Sequence, residues 1–593
     1  MKLSDYVVSY LENKGVSHVF GVTGGGAMHL NDSLGKSKKI NFIMTHHEQA
    51  AAMASEAYSR ETNKIGVCQV TTGPGGTNAV TGVTGAWIDS IPMIVISGQV
   101  GSKDMINNLK IRQRGVQEIN IIDIVKPITK YAKTILDENK IKYELDKCFY
   151  YSKSGRPGPV WLDIPLDIQA KKIKHKSLVS FKAKKKSLER KIDYKKILNL
   201  INNAKRPSIV IGNGVHLSKS HKELVKLTNY LKIPILSSWN ASDILPSKRE
   251  YVGRFGIFGD RASNFCVQNS DLLLVLGSRL SQPQTGYNMN IFAPDAKIIF
   301  VDIDINESNK FNGEGNIYIK KDLKEFMSKF ISFLKKKQTH IKKHESWNNT
   351  NLKWKKNYPV VLKKYKKEKK INSFYFINEL AKITKSNTSI VTDMGTSFTC
   401  TMQTFKCKPN QRLYTSSGLA AMGFGLPGSI GAAFGSKNRE IICIAGDGGF
   451  MFNIQELQTV LYYKLPIKIF VLCNNGYLTM KLMQKKNFKN LIGSSPTTGL
   501  SWPDFDKVAK SFGLKTYTLN NTKQFDKNFK KIFNSNRSFL CQIQMSDFQK
   551  LIPRLQTKMS SEGKFLPTPI DNLYPFLPEQ EYKKNIFYSK KVI

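Results

Sequence analysis

Short apolar runs alternate with segments of helical periodicity along almost the whole chain of 593 residues. Runs that are apolar at consecutive positions fit strands buried on both faces, which are typical of parallel sheets. The segments between them are long enough for crossover helices. The sequence therefore predicts an α/β fold with three doubly wound parallel-sheet domains. The clearest predicted strands are residues 66–71, 92–98, 207–212, 271–277, 297–304, 441–445 and 467–473.

Two lysine-rich stretches interrupt this alternation, at residues 171–190 and 333–370. Charged stretches without a periodic apolar pattern are typical of linkers. We therefore predict domains at residues 1–170, 191–332 and 371–550, followed by a tail at residues 551–593 that is rich in proline and aromatic residues.

The charge of the chain is unusual, because 91 Lys and Arg residues against 45 Asp and Glu residues leave a net charge of +46. Such an excess favours polyanionic partners. However, it consists mostly of scattered lysines, without the aromatic-interleaved stripe or module signature of a nucleic-acid-binding protein. Solvated faces and linkers explain the charge better, and a nucleic-acid or anionic-surface role is the weaker alternative.

The cysteines and the N-terminal segment indicate the compartment. None of the eight cysteines forms a Cys-x-x-Cys pair, so neither a zinc site nor a disulfide framework is indicated, and a reducing compartment fits. Asp5 and Glu12 interrupt what could otherwise be a signal-peptide core. No apolar run approaches the ~18 residues of a membrane helix. We predict a cytoplasmic protein without a membrane span.

The sharpest motif lies in the last third of the chain. The strand at 441–445 leads into Gly-Asp-Gly-Gly at 446–449, and the next predicted strand, 467–473, ends at Asn474. A helical pattern at 453–463 separates the two strands. Because the carboxyl ends of parallel strands meet at one edge of the sheet, Asp447 and Asn474 should converge.

These residues suit a metal ion and a diphosphate. The Asp447 carboxylate, the Asn474 amide oxygen and the Gly476 carbonyl are three hard oxygen ligands, half of the octahedral shell of Mg²⁺. Gly448 and Gly449 leave N–H groups bare at a helix start, where anions are attracted. Gly-Asp-Gly alone is a weak signal, because it is more often an ordinary tight turn. The Asn pair, 27 residues after Asp447, favours the metal interpretation.

With these residues the sequence resembles the thiamine diphosphate (ThDP) enzymes, in which Gly-Asp-Gly is followed by Asn-Asn; here 25 residues separate Gly448 from Asn474. An independent match is Glu48, which starts an apolar helical segment. A lone glutamate in a first helical turn usually serves only the helix dipole. The resemblance implies more, namely that Glu48 bonds N1′ of the cofactor's aminopyrimidine. It also implies a pyrimidine-binding first domain, a nucleotide-type central domain and a diphosphate-binding third domain.

The resemblance covers almost the whole chain and narrows to the acetolactate synthase group. Its marks are the segments 20–26, 72–78, 89–92, 97–100, 155–160 and 417–427. It implies catalytic roles for Glu48, Gly25, Gln99 and Met422, with Met422 as the apolar wedge that bends the cofactor. The residues implied to hold ThDP are Gly395, Thr396, Ser397, Gly446, Gly448, Gly449 and Tyr477.

The central domain contains segments that bear on whether the protein binds FAD. Segment 211–216 follows a predicted strand but lacks the third glycine of a dinucleotide fingerprint. Segments 253–259 and 277–279 look like the places where the acetolactate synthase group holds FAD. The resemblance therefore implies FAD binding by Gly256, Gly259 and Arg279, and a vestigial or empty domain is the alternative.

The acceptor of the reaction stays open. The resemblance implies Mg²⁺- and ThDP-dependent decarboxylation of pyruvate, with transfer of the C2 unit to a second carbonyl. Acetolactate synthases carry an Arg and then a Trp after Asn-Asn, and segment 476–484 has neither. Lys481 cannot replace a bidentate guanidinium. The first hypothesis is a second keto acid, for branched-chain amino acids; the alternative is a nucleotide-linked keto sugar or an aldehyde, for surface polysaccharides.

Two further expectations concern partners. One ThDP must touch both Glu48 and Asp447, which in the resembled family come from different subunits, so we expect a homodimer or homotetramer, and a regulatory subunit is also possible. A basic nucleotide-binding protein without catalysis would explain neither the spacing from Asp447 to Asn474 nor Glu48.

Overall fold

The apolar runs form the central strands of three parallel sheets, each with six strands and with helices on its faces. The computed structural model describes residues 1–106, 109–183, 191–311, 313, 315–336, 340–436, 438–559, 565–566 and 568–589. All seven clearest predicted strands are present, and the predicted α/β fold with doubly wound sheets is confirmed.

The first sheet has the strand order β2-β1-β3-β4-β6-β5. Strands β3, β4 and β6 are buried at every position, as expected for apolar runs without alternation. The strands are β1 (His18–Gly21), β2 (Asn41–Met44), β3 (Gly66–Val70), β4 (Met93–Gln99), β5 (Tyr131–Thr134) and β6 (Pro159–Pro165). The helices are α1 (Leu3–Asn13), α2 (Met28–Lys36), α3 (Glu48–Thr62), α4 (Pro74–Ile88), α5 (Ile121–Val125), α6 (Ile141–Lys153) and α7 (Leu166–Ala170).

The middle sheet has the order β12-β11-β10-β7-β8-β9, which is the strand order of a dinucleotide-binding fold. Its strands are β7 (Pro207–Ile211), β8 (Ile235–Ser237), β9 (Tyr251–Arg254), β10 (Leu272–Leu276), β11 (Lys297–Asp302) and β12 (Ile317–Lys320). Its helices are α8 (Tyr194–Asn203), α9 (Gly214–Leu217), α10 (His221–Leu231), α11 (Arg261–Asn269), α12 (Gln282–Thr285) and α13 (Leu323–Leu334).

The predicted linker at 333–370 is folded over much of its length. It contains α14 (Glu345–Asn357), and Trp347 and Trp354 of this helix are buried against the apolar core of the middle domain. The lysine content hides this helix, because its lysines lie on the solvent side of a narrow apolar stripe. In the other predicted linker, residues 184–190 lie outside the described residues.

The third sheet repeats the order of the first, β14-β13-β15-β16-β18-β17. Its strand order reverses between β13 and β15, and ligands of open α/β sheets bind at such switch points. The strands are β13 (Thr388–Thr392), β14 (Arg412–Tyr414), β15 (Glu440–Gly446), β16 (Ile467–Cys473), β17 (Lys515–Leu519) and β18 (Phe539–Gln544). The helices are α15 (Ser373–Ile383), α16 (Thr396–Thr404), α17 (Gly425–Gly435), α18 (Asp447–Met451), α19 (Leu457–Tyr462), α20 (Leu478–Asn487), α21 (Phe505–Ser511) and α22 (Thr522–Phe533).

The single helix predicted at 453–463 is wrong in its start and its continuity. A short helix, α18, begins directly at Asp447, a 3-10 turn follows at Ile454–Glu456, and α19 continues from there. The break lies at Asn453, whose side chain donates hydrogen bonds to the Gly423 carbonyl at 2.9 Å and to Gln49 Oε1 at 3.0 Å. These long-range bonds hold Asn453 outside the helical conformation.

The first and third domains of one chain touch through α3 and α17. At their crossing, a Cβ on Gly431 would lie 2.0 Å from the carbonyl oxygen of Ala54. All eight cysteines are free. Within the described ranges, no helix combines the length and the apolar character that crossing a bilayer requires.

The C-terminal tail lies on the middle domain. It contains the strands β19 (Lys558–Met559) and β20 (Phe565–Leu566) and the helix α23 (Glu579–Lys584). Leu555, Ile570 and Leu573 belong to the same buried cluster as Phe255 and Phe265 of the middle domain. The tail therefore completes a core that the middle domain does not close by itself.

A buried carboxyl in this tail makes stability depend on pH. Asp571 is 0% exposed and accepts hydrogen bonds from the hydroxyls of Tyr582 at 3.0 Å and Tyr588 at 3.4 Å. Burial raises the pKa of Asp571 to about 7. The folded state therefore holds this proton more tightly than the unfolded state, so the contribution to stability is complete below the ordinary pKa of about 3.9 and is lost as the pH rises through about 7.

We expect the Asp571→Asn variant to lose this dependence, which is worth roughly 4 kcal/mol over the full window, and to unfold at a higher temperature than the wild type above pH 7. Thermal unfolding on both sides of the window measures the effect. The control is Asp526→Asn, since Asp526 also accepts a tyrosine hydroxyl, at 2.7 Å from Tyr375, but is exposed. Equal pH slopes in all three proteins would contradict the assignment.

Candidate active site

The three predicted metal ligands meet at the carboxyl edge of the third sheet. Asp447 begins α18 at the end of β15, and Asn474 follows the neighbouring parallel strand β16. Asp447 Oδ2 accepts hydrogen bonds from the backbone N–H of Asn474 at 2.8 Å and of Gly476 at 3.3 Å. The spacing seen in the sequence therefore corresponds to a real convergence.

Two features of this cluster fit a divalent cation. Oδ1 of Asn474 is buried without a hydrogen-bond partner in the described part of the chain, which costs roughly 1–3 kcal/mol unless a ligand satisfies it. Asp447 is 2% exposed, and burial raises the pKa of its carboxyl to about 6. A cation at this point would satisfy the amide oxygen and compensate the buried carboxylate. No group of three or more His, Cys, Asp and Glu side chains that could hold a metal is found among the described residues.

The third predicted ligand, the carbonyl of Gly476, is held in place by the backbone around it. Its φ is +140°, and a Cβ there would lie 2.1 Å from the carbonyl oxygen of Ser494. The N–H of Tyr477 donates to the same carbonyl at 3.0 Å. Only glycine fits this close approach, so segment 474–477 keeps its position relative to Asp447.

Two helix N-termini face the same edge and suit a diphosphate. α16 starts at Thr396 after β13, α18 starts at Asp447 after β15, and the two strands are neighbours. Gly395 and Gly446 precede these helices, and a Cβ on either would meet no atom within 4 Å. Free backbone N–H groups bordering open space attract anions. The main chain at 395–397 and 446–449 therefore suits the phosphates of ThDP. The N–H of Gly448 donates to Asp447 Oδ1 at 2.8 Å, so it would have to exchange this bond for one to a phosphate oxygen.

The side chains around these loops have clear positions. Ser397 donates its hydroxyl to the Met394 carbonyl at 3.0 Å, so its backbone N–H is the group left for a ligand. A Cβ on Gly448 would lie 2.3 Å from the ring of Tyr477, which packs against Trp502 at a centroid distance of 5.4 Å. Tyr477 thus lies directly beside the start of α18.

Lys481 points back towards the predicted metal ligands at the end of β16. Its side chain is buried, and Nζ donates to the carbonyl of Asn474 at 2.8 Å and of Asn475 at 3.4 Å. The ammonium therefore stabilises the end of β16 and is not available to anchor a substrate carboxylate. Sequence reasoning gave no indication of this inward orientation.

Glu48 is the first residue of α3 and is half-buried. Its Oε2 accepts a hydrogen bond from Asn78 of α4 at 3.0 Å, a partner that the sequence did not predict. The next residue, Gln49, faces the third domain through Asn453. The Glu48 carboxylate thus stays at the carboxyl edge of the first sheet, while the adjacent Gln49 connects the start of α3 to the third domain.

Gln99 lies at the same edge, but its amide is fully used. Nε2 donates to the Ile119 carbonyl at 2.9 Å and to Asp163 at 3.3 Å, and Oε1 accepts from Thr72 at 2.7 Å and from the N–H of Val100 at 3.0 Å. Direct contact with a substrate would require one of these bonds to exchange.

The other two predicted catalytic residues, Gly25 and Met422, lie in a short 3-10 turn (Gly25–Ala27) and in a turn before a helix. Gly25 is exposed, after the end of β1, and no atom would lie within 4 Å of a Cβ there. Met422 is half-buried in the turn that precedes α17. The structure therefore places Gly25, Glu48 and Gln99 at the first sheet and Met422 at the third.

A separate cavity of about 300 Å³ lies at the switch point between β7 and β10 of the middle domain, where residues 88–90 and 153–157 of the first domain and 417–418 of the third domain close it. Its lining includes Arg156, Gly212, Gly277, Arg279 and Asp302. This size and position suit a nucleotide. Of the predicted FAD residues, Arg279 is in this lining and Gly256 and Gly259 are not.

Three family models match the chain, and all describe a thiamine pyrophosphate enzyme: its N-terminal TPP binding domain at residues 1–124, its central domain at residues 194–330 and its C-terminal TPP binding domain at residues 393–543. The chain belongs to the thiamine pyrophosphate enzymes, thiamine pyrophosphate being another name for ThDP.

Relatives within this family are similar over most of their length. The acetolactate synthase large subunit of Pyropia yezoensis is 33% identical, over 86% of this chain and 85% of its own. The probable acetolactate synthase large subunit of Methanocaldococcus jannaschii is also 33% identical, over 92% of both chains. The acetolactate synthase large subunit of Buchnera aphidicola from Schizaphis graminum is 32% identical, over 93% of this chain and 96% of its own. The resemblance stated from the sequence is confirmed.

Proposed function

We propose that this protein is a ThDP- and Mg²⁺-dependent carboligase of the acetolactate synthase type, which decarboxylates pyruvate and joins the remaining C2 unit to a second carbonyl. The observation that carries the proposal is the buried Asn474 Oδ1 without a partner in the described residues, beside the buried Asp447 and in front of two helix N-termini. This donor set suits a metal-bound diphosphate better than an internal structural contact.

In this proposal, each residue of the site has a distinct role. Asp447, Asn474 and the Gly476 carbonyl bind Mg²⁺, and the N–H groups at 395–397 and 446–449 bind the diphosphate. Glu48 holds a proton at N1′ of the aminopyrimidine, and Asn78 orients its carboxylate. When bound, ThDP supplies stabilisation of the negative charge that remains after loss of CO₂.

A second keto acid, pyruvate or 2-ketobutyrate, is the proposed acceptor. The names of the similar proteins support this choice, and they do not favour the nucleotide-linked sugar or the aldehyde. The missing Arg and Trp and the inward Lys481 mean that the carboxylate of the acceptor is held by other groups than in the resembled family. The test supplies pyruvate alone and then with each candidate acceptor, and identifies the products by mass. Acetolactate from pyruvate alone is expected, and its absence would contradict the proposal.

We include a homodimer or homotetramer in this proposal. Glu48 bonds Asn78 within its own domain, and in the resembled family this glutamate and the metal ligands come from different subunits, which supports a site completed by a second copy. Phe452 and Tyr462 are 51% and 73% exposed in the isolated chain, so apolar surface is available for a partner. Sedimentation showing an active monomer would contradict the assembly. The similar proteins are called large subunits, which supports a regulatory subunit as a further partner.

FAD is the proposed ligand of the middle-domain cavity. Arg156 and Arg279 in the lining would suit its phosphates, and Asp302 would suit a ribose. The absorption spectrum of the purified protein tests this assignment: a flavin spectrum would support it, and a colourless protein that takes up no added FAD would contradict it. The cytoplasmic location stays a prediction.

A further inference from the structure

A buried carboxylate that the sequence did not single out lies at the carboxyl end of β13. Asp393 is 1% exposed, and its donors within the described residues are all backbone N–H groups. It accepts from Met394 at 2.6 Å, from Gly423 at 3.1 Å and from Gly425 at 3.0 Å. A charged group buried without an opposite charge is costly, so three well-placed backbone donors indicate a specific role.

The three donors belong to two loops of the candidate site. Met394 leads into the loop at 395–397. Gly423 follows Met422 directly, and Gly425 is the first residue of α17. The first turn of α18 is the third neighbour, because a Cβ on Gly449 would lie 2.8 Å from Asp393 Oδ1. One carboxylate thus touches the two loops that suit the diphosphate and the turn that carries Met422.

The turn at 422–425 is held from its other side as well. The carbonyl of Gly423 accepts a hydrogen bond from Asn453 at 2.9 Å, while its N–H is bound to Asp393. Both polar groups of the residue after Met422 are therefore fixed by side chains, and neither belongs to a helix or strand ladder. Removal of the carboxylate would leave only the Asn453 side of this restraint.

We propose that Asp393 is a positioning residue, which fixes the Met422 turn relative to the loops at 395–397 and 446–449 before the cofactor binds. It acts through backbone hydrogen bonds and does not touch the substrate. The inference rests on the proposed function, because the position of Met422 matters only if these loops hold ThDP.

The test compares the wild type with Asp393→Asn, which keeps the size of the side chain but replaces one acceptor oxygen by a donor group. Hydrogen–deuterium exchange of the cofactor-free protein should be at least about tenfold faster at Gly423 and Gly425, since a hydrogen bond to a charged group is lost. ThDP affinity in Mg²⁺, followed by tryptophan fluorescence, should fall about tenfold or more.

The matched control is Asp243→Asn. Asp243 is also buried, accepts the N–H of Leu413 at 3.2 Å and pairs with His216 at 2.8 Å, but lies outside the loops of the site. The Asp243→Asn variant should lower the stability of the fold and leave hydrogen–deuterium exchange at residues 423–425 unchanged. If Asp393→Asn does not fold, Gly449→Ala replaces it in the exchange measurement only, because Gly449 also belongs to the loop proposed to bind the diphosphate. Its added methyl group would lie 2.8 Å from Asp393 Oδ1 and displace the carboxylate without removing its charge.

Unchanged exchange at Gly423 and Gly425 in both site variants would overturn the proposal. Faster exchange with unchanged ThDP affinity would also overturn it, because Asp393 would then stabilise only the fold. A wild type that binds no ThDP would instead refute the proposed function; the exchange measurement needs no cofactor and would still decide whether Asp393 holds the turn.

Discussion

The Asp447→Ala variant is expected to lose ThDP and Mg²⁺ binding, with affinity lower by about 100-fold or more, because removal of one member of a buried charge pair costs roughly 3–5 kcal/mol. The same change removes the acceptor of the N–H groups of Asn474 and Gly476, so these two proposed ligands should lose their alignment. Calorimetric titration of the cofactor-free protein with Mg²⁺ and ThDP together measures the effect.

The control for this result is Asp547→Ala. Asp547 is exposed and accepts a hydrogen bond from Asn475 at 3.2 Å. The substitution therefore removes one negative charge from the same neighbourhood without changing the proposed ligands. Its affinity for ThDP should stay close to that of the wild type. Normal binding by Asp447→Ala would remove Asp447 from the metal site, and equal losses in both variants would indicate a general charge effect.

The Glu48→Gln variant is expected to bind ThDP but to lose turnover of pyruvate, with kcat lower by about 10²- to 10⁴-fold, as is usual when a positioned proton-transfer group is removed. The amide has nearly the same shape as the carboxylate, and the contact to Asn78 can persist if the amide oxygen faces it. Steady-state rates at saturating cofactor, together with a direct measurement of bound ThDP, separate the two effects.

Asp104→Asn is the matched control for Glu48→Gln. Asp104 is an exposed carboxylate of the same domain, and it lies shortly after β4 ends at the same edge of the sheet. It should keep the wild-type rate. If Glu48→Gln turned over pyruvate at the wild-type rate with ThDP bound, Glu48 would not be the activating group. A variant that failed to bind ThDP would place Glu48 in binding and not in proton transfer.

The strands of this protein could be predicted because they are apolar on both faces. The predicted strand 467–473 coincides with β16, and Asn474 ends it where the apolar run ends. The helix after Asp447 could not be predicted correctly, since its break depends on bonds from Asn453 to residues about 30 and 400 positions away. Local periodicity carries no information about such partners.

The same limit applies to the site. The roles of Asp447, Asn474 and Glu48 could be predicted, because their residue types and spacing match a known motif. The roles of Lys481 and Asp393 could not be predicted, because they depend on the direction in which each side chain points. α14 shows a signal that could have been used: Trp347, Asn351 and Trp354 recur at helical spacing within the lysine-rich stretch and are buried on one face. Tryptophans at such spacing favour the prediction of a packed helix over that of a linker.

The contact between the tail and the middle domain has a consequence for biosynthesis. Leu555, Ile570 and Leu573 are made only after the entire third domain, yet they cover apolar surface that leaves the ribosome much earlier. Part of the core of the nascent middle domain would therefore stay exposed until the tail is synthesised. Exposed apolar surface of this kind makes partly folded chains prone to aggregation. Truncation near residue 550 would make that exposure permanent, and chaperone dependence during expression should rise accordingly.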